Sequence, residues 1–271
     1  MVRRTIRYFF IALLFWAGNA FAAFDHAHPQ WDALLKQHVV LIQNGNATEV
    51  KYEAFKRERA TLKSYLAALS AVSQEEFNGW SKPQQLAFLI NAYNAFTVEL
   101  ILTRYPDIES IQDFGKFINN PWKKKFFSLF GKQRNLDEIE HGMIRAEGVY
   151  DDPRIHTAVN CASIGCPALR NEAYVATRLD EQLEDSLKRF LSDHSRNRFS
   201  RGTLEVSKIF DWYGKDFAKG FRGAKSLNAF LSAYASVLSD KPEDQARIQD
   251  GKAPIRFLDY DWALNDRKVA Q

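Results

Sequence analysis

His156, Cys161 and Cys166 fall in one run, RIHTAVNCASIGCPAL, over residues 154–169, and the 271-residue chain contains no other cysteine. A histidine and two thiols at this spacing suit three chemistries: a disulfide, a metal site, or a thiol nucleophile with its base. In an extended chain His156 and Cys161 would lie about 16 Å apart, at roughly 3.3 Å per residue, and on opposite faces. In a helix the offset is about 7.5 Å along the axis, with the side chains about 140° apart. Neither regular form lets the imidazole reach the sulfur. A His–Cys pair therefore needs a turn before Cys161, or it needs His141. His26 and His28 stand near the chain start, where fraying is expected.

A disulfide between Cys161 and Cys166 also requires a turn, and Ser163, Gly165 and Pro167 supply residues that favour one. Closing so small a loop removes little unfolded-state entropy, so the bond would fix local shape more than global stability. For zinc, His156, Cys161 and Cys166 are spaced more widely than usual, and no second ligand pair follows. His141 or a carboxylate would have to complete such a site. No metal ligand is assigned, and zinc is the one cofactor left open. A nucleophilic Cys161 needs a lowered pKa and a base. Its small, turn-forming neighbours Asn160, Ala162, Ser163 and Gly165 leave a sulfur reachable, and Ser163 or backbone amides could serve an oxyanion. All three chemistries stay open on spacing alone.

The elements that must position these residues are mostly helices. Trp31, Leu34, Leu35, His38 and Val39 recur at helical spacing, and a second such run covers Tyr52 to Leu69, with the turn NGNATE between them. Ser81-Lys82-Pro83 opens a helix with Ser81 as N-cap, and the run QQLAFLINAYNAFTVELILTRY continues it to just before Pro106. Apolar residues surround this helix, which predicts burial in the core. Asn91, Asn94 and Glu99 argue against a membrane span. Asn91 and Asn94 share a face; they either bond buried backbone or line a pocket.

Lys123, Lys124 and Lys125 interleave with Trp122, Phe126 and Phe127, which reads as a solvated loop over an aromatic anchor, or as a contact for an anionic surface. LDEIEHGMIRA predicts a short helix with His141 and Arg145 one turn apart. Leu179 to Leu191 predicts an amphipathic helix. GTLEVSKIFDWYGKDF predicts a strand running into a helical turn, residues 225–238 another helix, and APIRFLDYDWALND a late strand. Helices and strands do not alternate regularly, so the expected class is α+β: a helix-rich single domain with a small, mainly antiparallel sheet.

The first residues, MVRRTIRYFFIALLFWAGNAFA, have a basic start, a short apolar run and Ala20-Phe21-Ala22. That layout predicts a secretory signal peptide over residues 1–22, cleavage near Ala22, and a periplasmic or secreted protein without a transmembrane segment in the mature chain. Residues 23–74 then form an N-terminal helical segment and 75–271 the core domain. Losing three arginines and no acid takes the formal charge from +4 toward neutrality, so no nucleic-acid partner is expected. Export raises the expectation that the thiols are bonded.

FLINAYNAF (88–96), IEHGMIR (139–145), DPRIHTAVNCASIGCPAL (152–169), FDWYGKDF (210–217) and FLDYDWALN (257–265) resemble, in this order, the family catalogued as domain of unknown function five-four-seven. The resemblance covers about residues 75–265, and the joint occurrence of the motifs makes it specific. The family brings no established activity with it. Plant relatives, which carry an N-terminal leucine zipper absent here, keep the cysteine matching Cys161 and have serine near the place of Cys166. The resemblance thus implies that Cys161 and His156 are the shared pair.

The leading expectation is an exported thiol-dependent hydrolase or transferase. Cys161 would be the nucleophile, His156 or His141 the base, and Asp211 or Asp259 its orienting acid. Asn91, Asn94, Asn160, Ser163 and Trp212 would form the substrate-binding wall. The alternatives are a non-catalytic cell-envelope binding domain with a Cys161–Cys166 disulfide, its ligand unknown, and a zinc-binding domain.

Overall fold

A computed structural model describes residues 23–115 and 120–268 of the chain; the expected leader over residues 1–22 lies outside them. The fold is α+β and helix-rich, with three small sheets among the described residues. Its centre is the helix Lys82–Leu102. Ser81 caps it in a reciprocal box with Gln84, and Pro83 sits in the first turn, where the missing amide costs nothing. Every residue from Gln85 to Leu102 is buried, as the all-round apolar pattern predicts. Its buried amide and carboxylate side chains are bonded. Gln85 donates to Phe77 O at 2.9 Å, and Glu99 accepts from Arg59 Nε and Nη2 at 3.1 and 2.7 Å.

Around this helix pack Pro29–His38, Arg59–Ala71 and Gln74–Asn78, in one apolar cluster that runs from Trp31 to Leu183 and includes Leu264. A second cluster holds Leu187, Phe190, Val206, Phe210, Phe217 and Phe230. The helix Leu179–Ser192 joins the two: Leu179 and Leu183 enter the first, Leu187, Phe190 and Leu191 the second. Each fully buried aliphatic or aromatic side chain contributes about 1.5–3 kcal/mol.

The turn expected at NGNATE is the tip of an antiparallel hairpin, Val39–Ile42 with Ala47–Val50. Its strands stand where only helix and turn were expected. Thr203–Ser207 is a strand, as predicted. It pairs antiparallel with Arg198–Ser200 and parallel with the late strand Ile255–Leu258. Residues 225–238 form two short helices, Leu227–Ser232 and Ala235–Leu238, where one was expected.

The first described residues are anchored, against the expectation of fraying at His26 and His28. His28 is 1% exposed, its Nδ1 lies 2.7 Å from Tyr65 Oη, and Phe24 and His26 pack on Trp80. Burial brings the His28 pKa down to about 3 from 6.5, aided by His26. Between those values the unfolded chain binds the extra proton, so stability falls as pH drops from 6.5 toward 3. His28→Gln should reduce that slope by up to about 1.4 kcal/mol per pH unit, read as urea midpoints at pH 4, 5 and 7. An unchanged slope would show that His28 is protonated in the fold.

Candidate functional site

The cysteine segment is built as a clamped loop. Asp152 caps a 3₁₀ turn over Pro153–Thr157, the bend that the spacing argument requires. Asn94, on the central helix, then accepts from Asn160 N (2.8 Å) and donates to Ala158 O (2.9 Å). Asn160 in turn accepts from Ala162 N (2.9 Å) and donates to Pro167 O (2.8 Å), tying the two ends of the loop together. Across the loop, Ile164 N and Gly165 N donate to Ala263 O and Asp261 O, both at 2.8 Å, and Asn265 N donates to Ala162 O at 3.0 Å. Gly165 permits this approach, since a Cβ there would stand 2.9 Å from Asp261 N and O. Ala162 takes a left-handed φ of 64°, a strained conformation for a non-glycine residue.

Both cysteines are free thiols. Cys161 is partly exposed and Cys166 is buried. The backbone amide of Cys161 donates to Cys166 Sγ at 2.9 Å. Cys161 Sγ lies 3.1 Å from Tyr260 Oη and 3.7 Å from Ser163 Oγ. Hydrogen bonding from the Cys166 thiol lowers the pKa of Cys161 against the opposing effect of burial, with Tyr260 and Ser163 adding to it. Burial, and then the Cys161 charge, push the Cys166 thiol well up. Tyr260 is likewise pushed well up by burial and by the cysteines, so its hydroxyl keeps its proton and is able to donate to Cys161 Sγ.

Cys161 opens on a cavity of about 290 Å³ between the two apolar clusters, lined also by Tyr93, Glu140, His141, His156, Trp212 and Trp262. His156 is 3% exposed and stacks on Tyr213 with centroids 3.9 Å apart. Its Nε2 pairs with Asp216 Oδ2 at 2.8 Å, and Nδ1 is buried with no hydrogen-bond partner among the described residues. Burial lowers the His156 pKa despite the raising effect of Asp216, which favours a neutral ring. Asp216 also accepts from Arg145 Nε at 2.7 Å and pairs with Lys219 at 3.1 Å. Burial alone would raise its pKa, but hydrogen bonds from His156, Arg145 and Lys219 hold it well below the usual carboxylate range.

His141 borders the same cavity, but both its nitrogens are engaged. Arg145 Nη1 donates to Nδ1 at 2.6 Å, and Nε2 lies 3.6 Å from Asp137. The predicted helix around it becomes Leu136–Ile139 followed by a π-turn over Glu140–Ile144, an irregularity frequent at functional sites. Glu140, buried, accepts from Tyr213 Oη at 2.7 Å.

Several expected site residues stand elsewhere. Asp211 pairs with Lys208 at 2.8 Å; Asp216, five residues on, is the acid on His156. Asp259 borders a different cavity, shared with Asp261 and Asp266. Asn91 is buried and bonds Tyr174 O and N at 2.7 and 3.0 Å. It and Asn94 hold buried backbone and do not line the cavity, and Asn160 is a loop tie for the same reason: a buried amide left without partners costs about 1–3 kcal/mol. Ser163 is buried beside the thiol. Trp212 does line the cavity; it is 45% exposed and packs on Tyr260 and Trp262 at 5.0 and 5.7 Å. Tyr260 and Glu140 carried no sequence signal beyond lying in quoted motifs. Among the described residues, no group of three or more His, Cys, Asp or Glu is arranged to hold a metal ion.

Residues 77–191 match the family model described as "Protein of unknown function, DUF547", the family that the sequence motifs resemble. No curated protein and no solved structure matches it.

In folded protein, iodoacetamide should modify Cys161 and spare Cys166, with the rate midpoint below that of an ordinary thiol. Tyr260→Phe removes a donor to the thiolate, so its midpoint should move to higher pH. Peptide mapping across a pH series reads both; preferential labelling of Cys166 would contradict the assignment.

Proposed function

We propose that this chain is an exported thiol-dependent acyl hydrolase or transferase, with Cys161 as nucleophile. The observation that carries this reading is a partly exposed thiol, 3.1 Å from a tyrosine hydroxyl, opening on an aromatic cavity that is also lined by an imidazole held by a carboxylate. In the proposed reaction the Cys161 thiolate attacks an ester, thioester or amide carbonyl. Tyr260, protonated and 3.1 Å from the sulfur, supplies a hydrogen bond to the developing oxyanion. His156 exchanges protons through Nδ1, its one nitrogen without a partner among the described residues, while Asp216 fixes the tautomer with hydrogen on Nε2. His141 is the weaker base candidate because its nitrogens already serve Arg145 and Asp137.

The cavity wall also limits the substrate. Among the described residues it carries the carboxylates of Asp137 and Glu140 and neither lysine nor arginine. An acyl group bearing a carboxylate or phosphate would meet those two like charges, so neutral or cationic groups fit better. Rings of Trp122, Trp212 and Trp262 at the rim offer flat apolar faces. That rim also favours a second reading, a binding domain of the cell envelope in which Cys161 does no chemistry.

Activated thioesters with neutral, cationic or anionic acyl groups separate the two readings. Intact mass should show an acyl adduct on Cys161, formed fastest from neutral or cationic donors. His156→Gln should slow its formation or turnover by about 10²–10⁴-fold with near-ultraviolet dichroism unchanged. No adduct from any donor, or equal rates after Cys161→Ala, would sink the enzyme reading.

A further inference from the structure

Cys166 has no part in acyl transfer, yet the fold holds it against the nucleophile. Its sulfur accepts from the Cys161 amide at 2.9 Å. Asn160 fastens both ends of the loop, at Ala162 N and Pro167 O, and Cys166 N donates to Ser163 O at 3.1 Å. The five-residue offset, too long for a bond in helix or strand, is thereby folded into a turn with the two thiols at its mouth. The pair is also asymmetric. Cys161 is partly exposed at the cavity, whereas Cys166 is 6% exposed.

From this arrangement we infer that Cys161 and Cys166 form a reversible dithiol–disulfide couple that reacts with small neutral or cationic disulfides entering the cavity, Cys161 attacking and Cys166 resolving. The Cys161 thiolate attacks one sulfur of the incoming disulfide. A new sulfur–sulfur bond joins Cys161 to half of the substrate, and the other half leaves as a thiolate. Cys166 then gives up its proton to that thiolate, and its sulfur attacks Cys161 Sγ. The second half leaves, also as a thiolate. Two electrons pass from the cysteine pair to the substrate, leaving a Cys161–Cys166 disulfide and two small thiols, the second thiolate taking from solvent the proton that Cys161 had released; added dithiol reduces the internal disulfide again.

The asymmetry gives each sulfur its part. A thiolate is the attacking species, and a lowered pKa places more of Cys161 in that form. The buried Cys166 thiol, with its raised pKa, stays protonated until the mixed disulfide stands beside it. The substrate class follows from the wall: among the described residues it presents the carboxylates of Asp137 and Glu140 and no lysine or arginine. The couple uses the same nucleophile as the proposed acyl transfer but no acyl chemistry, so either can fail alone.

Cystamine, a cationic disulfide, and 3,3′-dithiodipropionate, an anionic one of similar size, test this on the folded, reduced protein. After an acid quench and alkylation, intact mass should show wild type passing to an internal disulfide that retains no cysteamine. Cys166→Ser should accumulate one cysteamine on Cys161, and Cys166→Ala is the second variant if serine at this buried position prevents folding. Cystamine should react about tenfold faster than the anionic disulfide. A stable cysteamine adduct on wild type would overturn the resolving role of Cys166. First labelling at Cys166 would overturn the order of attack, and equal rates for the two disulfides would overturn the substrate class.

Discussion

The side-chain amide of Asn94 is the constraint on which this site depends. It is buried in the middle of the central helix, where an amide without partners would be costly, and it meets backbone groups on either side of Val159. That pair of bonds fixes the peptide leading into Cys161 to the most rigid element of the fold. Asn160 repeats the device one step further out, bonding the backbone on both sides of the cysteine loop. Position is thus handed from helix to loop through two amides, each using its oxygen and its nitrogen. An apolar residue at either place would pack, but it would leave buried backbone groups unpaired and the loop unregistered.

The charged part of the site rests on the second apolar cluster. Phe217 belongs to it, and Asp216 beside it receives Arg145, His156 and Lys219. A carboxylate so far removed from water is tolerated only with such donors. Arg145 comes from the π-turn packed on the central helix and also donates to His141. Residues of both clusters therefore meet across the cavity, and the helix Leu179–Ser192 sets the distance between them. The geometry of the site is a property of the seam, and neither cluster supplies it alone.

Much of this was legible in the sequence where the pattern was long. The central helix, its Ser81 cap and its burial follow from a continuous apolar run behind a capping signal, and Leu179–Ser192 follows from strong amphipathicity. The hairpin at 39–50 was hidden because Val39 also completes the helical spacing of the preceding turn, so the two periods overlap. The spacing of His156 and Cys161 correctly demanded a turn between them. Choosing the orienting acid was beyond a linear reading: Asp211 and Asp216 sit in adjacent short helices, Ile209–Trp212 and Gly214–Phe217, and only tertiary packing decides which faces His156. The asparagines were read as helical neighbours on one face, which is correct, but burial assigns them to backbone and leaves the cavity wall to aromatic side chains.

Tyr260 connects the pieces. It comes from the segment that follows the strand Ile255–Leu258, and the same segment grips the cysteine loop through Asp261 and Ala263. The backbone contacts that close the loop therefore also bring the phenol to the sulfur. The amide of Cys161, which would otherwise be the nearest donor to an oxyanion, is already spent on Cys166 Sγ. In the proposed acyl transfer this leaves Tyr260 as the hydroxyl at hand. It stabilises the thiolate before attack, and once the sulfur has bonded to carbon the charge it served moves to the carbonyl oxygen. A hydroxyl whose own pKa is held high can follow that charge without losing its proton. The cost of occupying the Cys161 amide is thus met by a residue from the other end of the chain, and the gain is a second sulfur already in place.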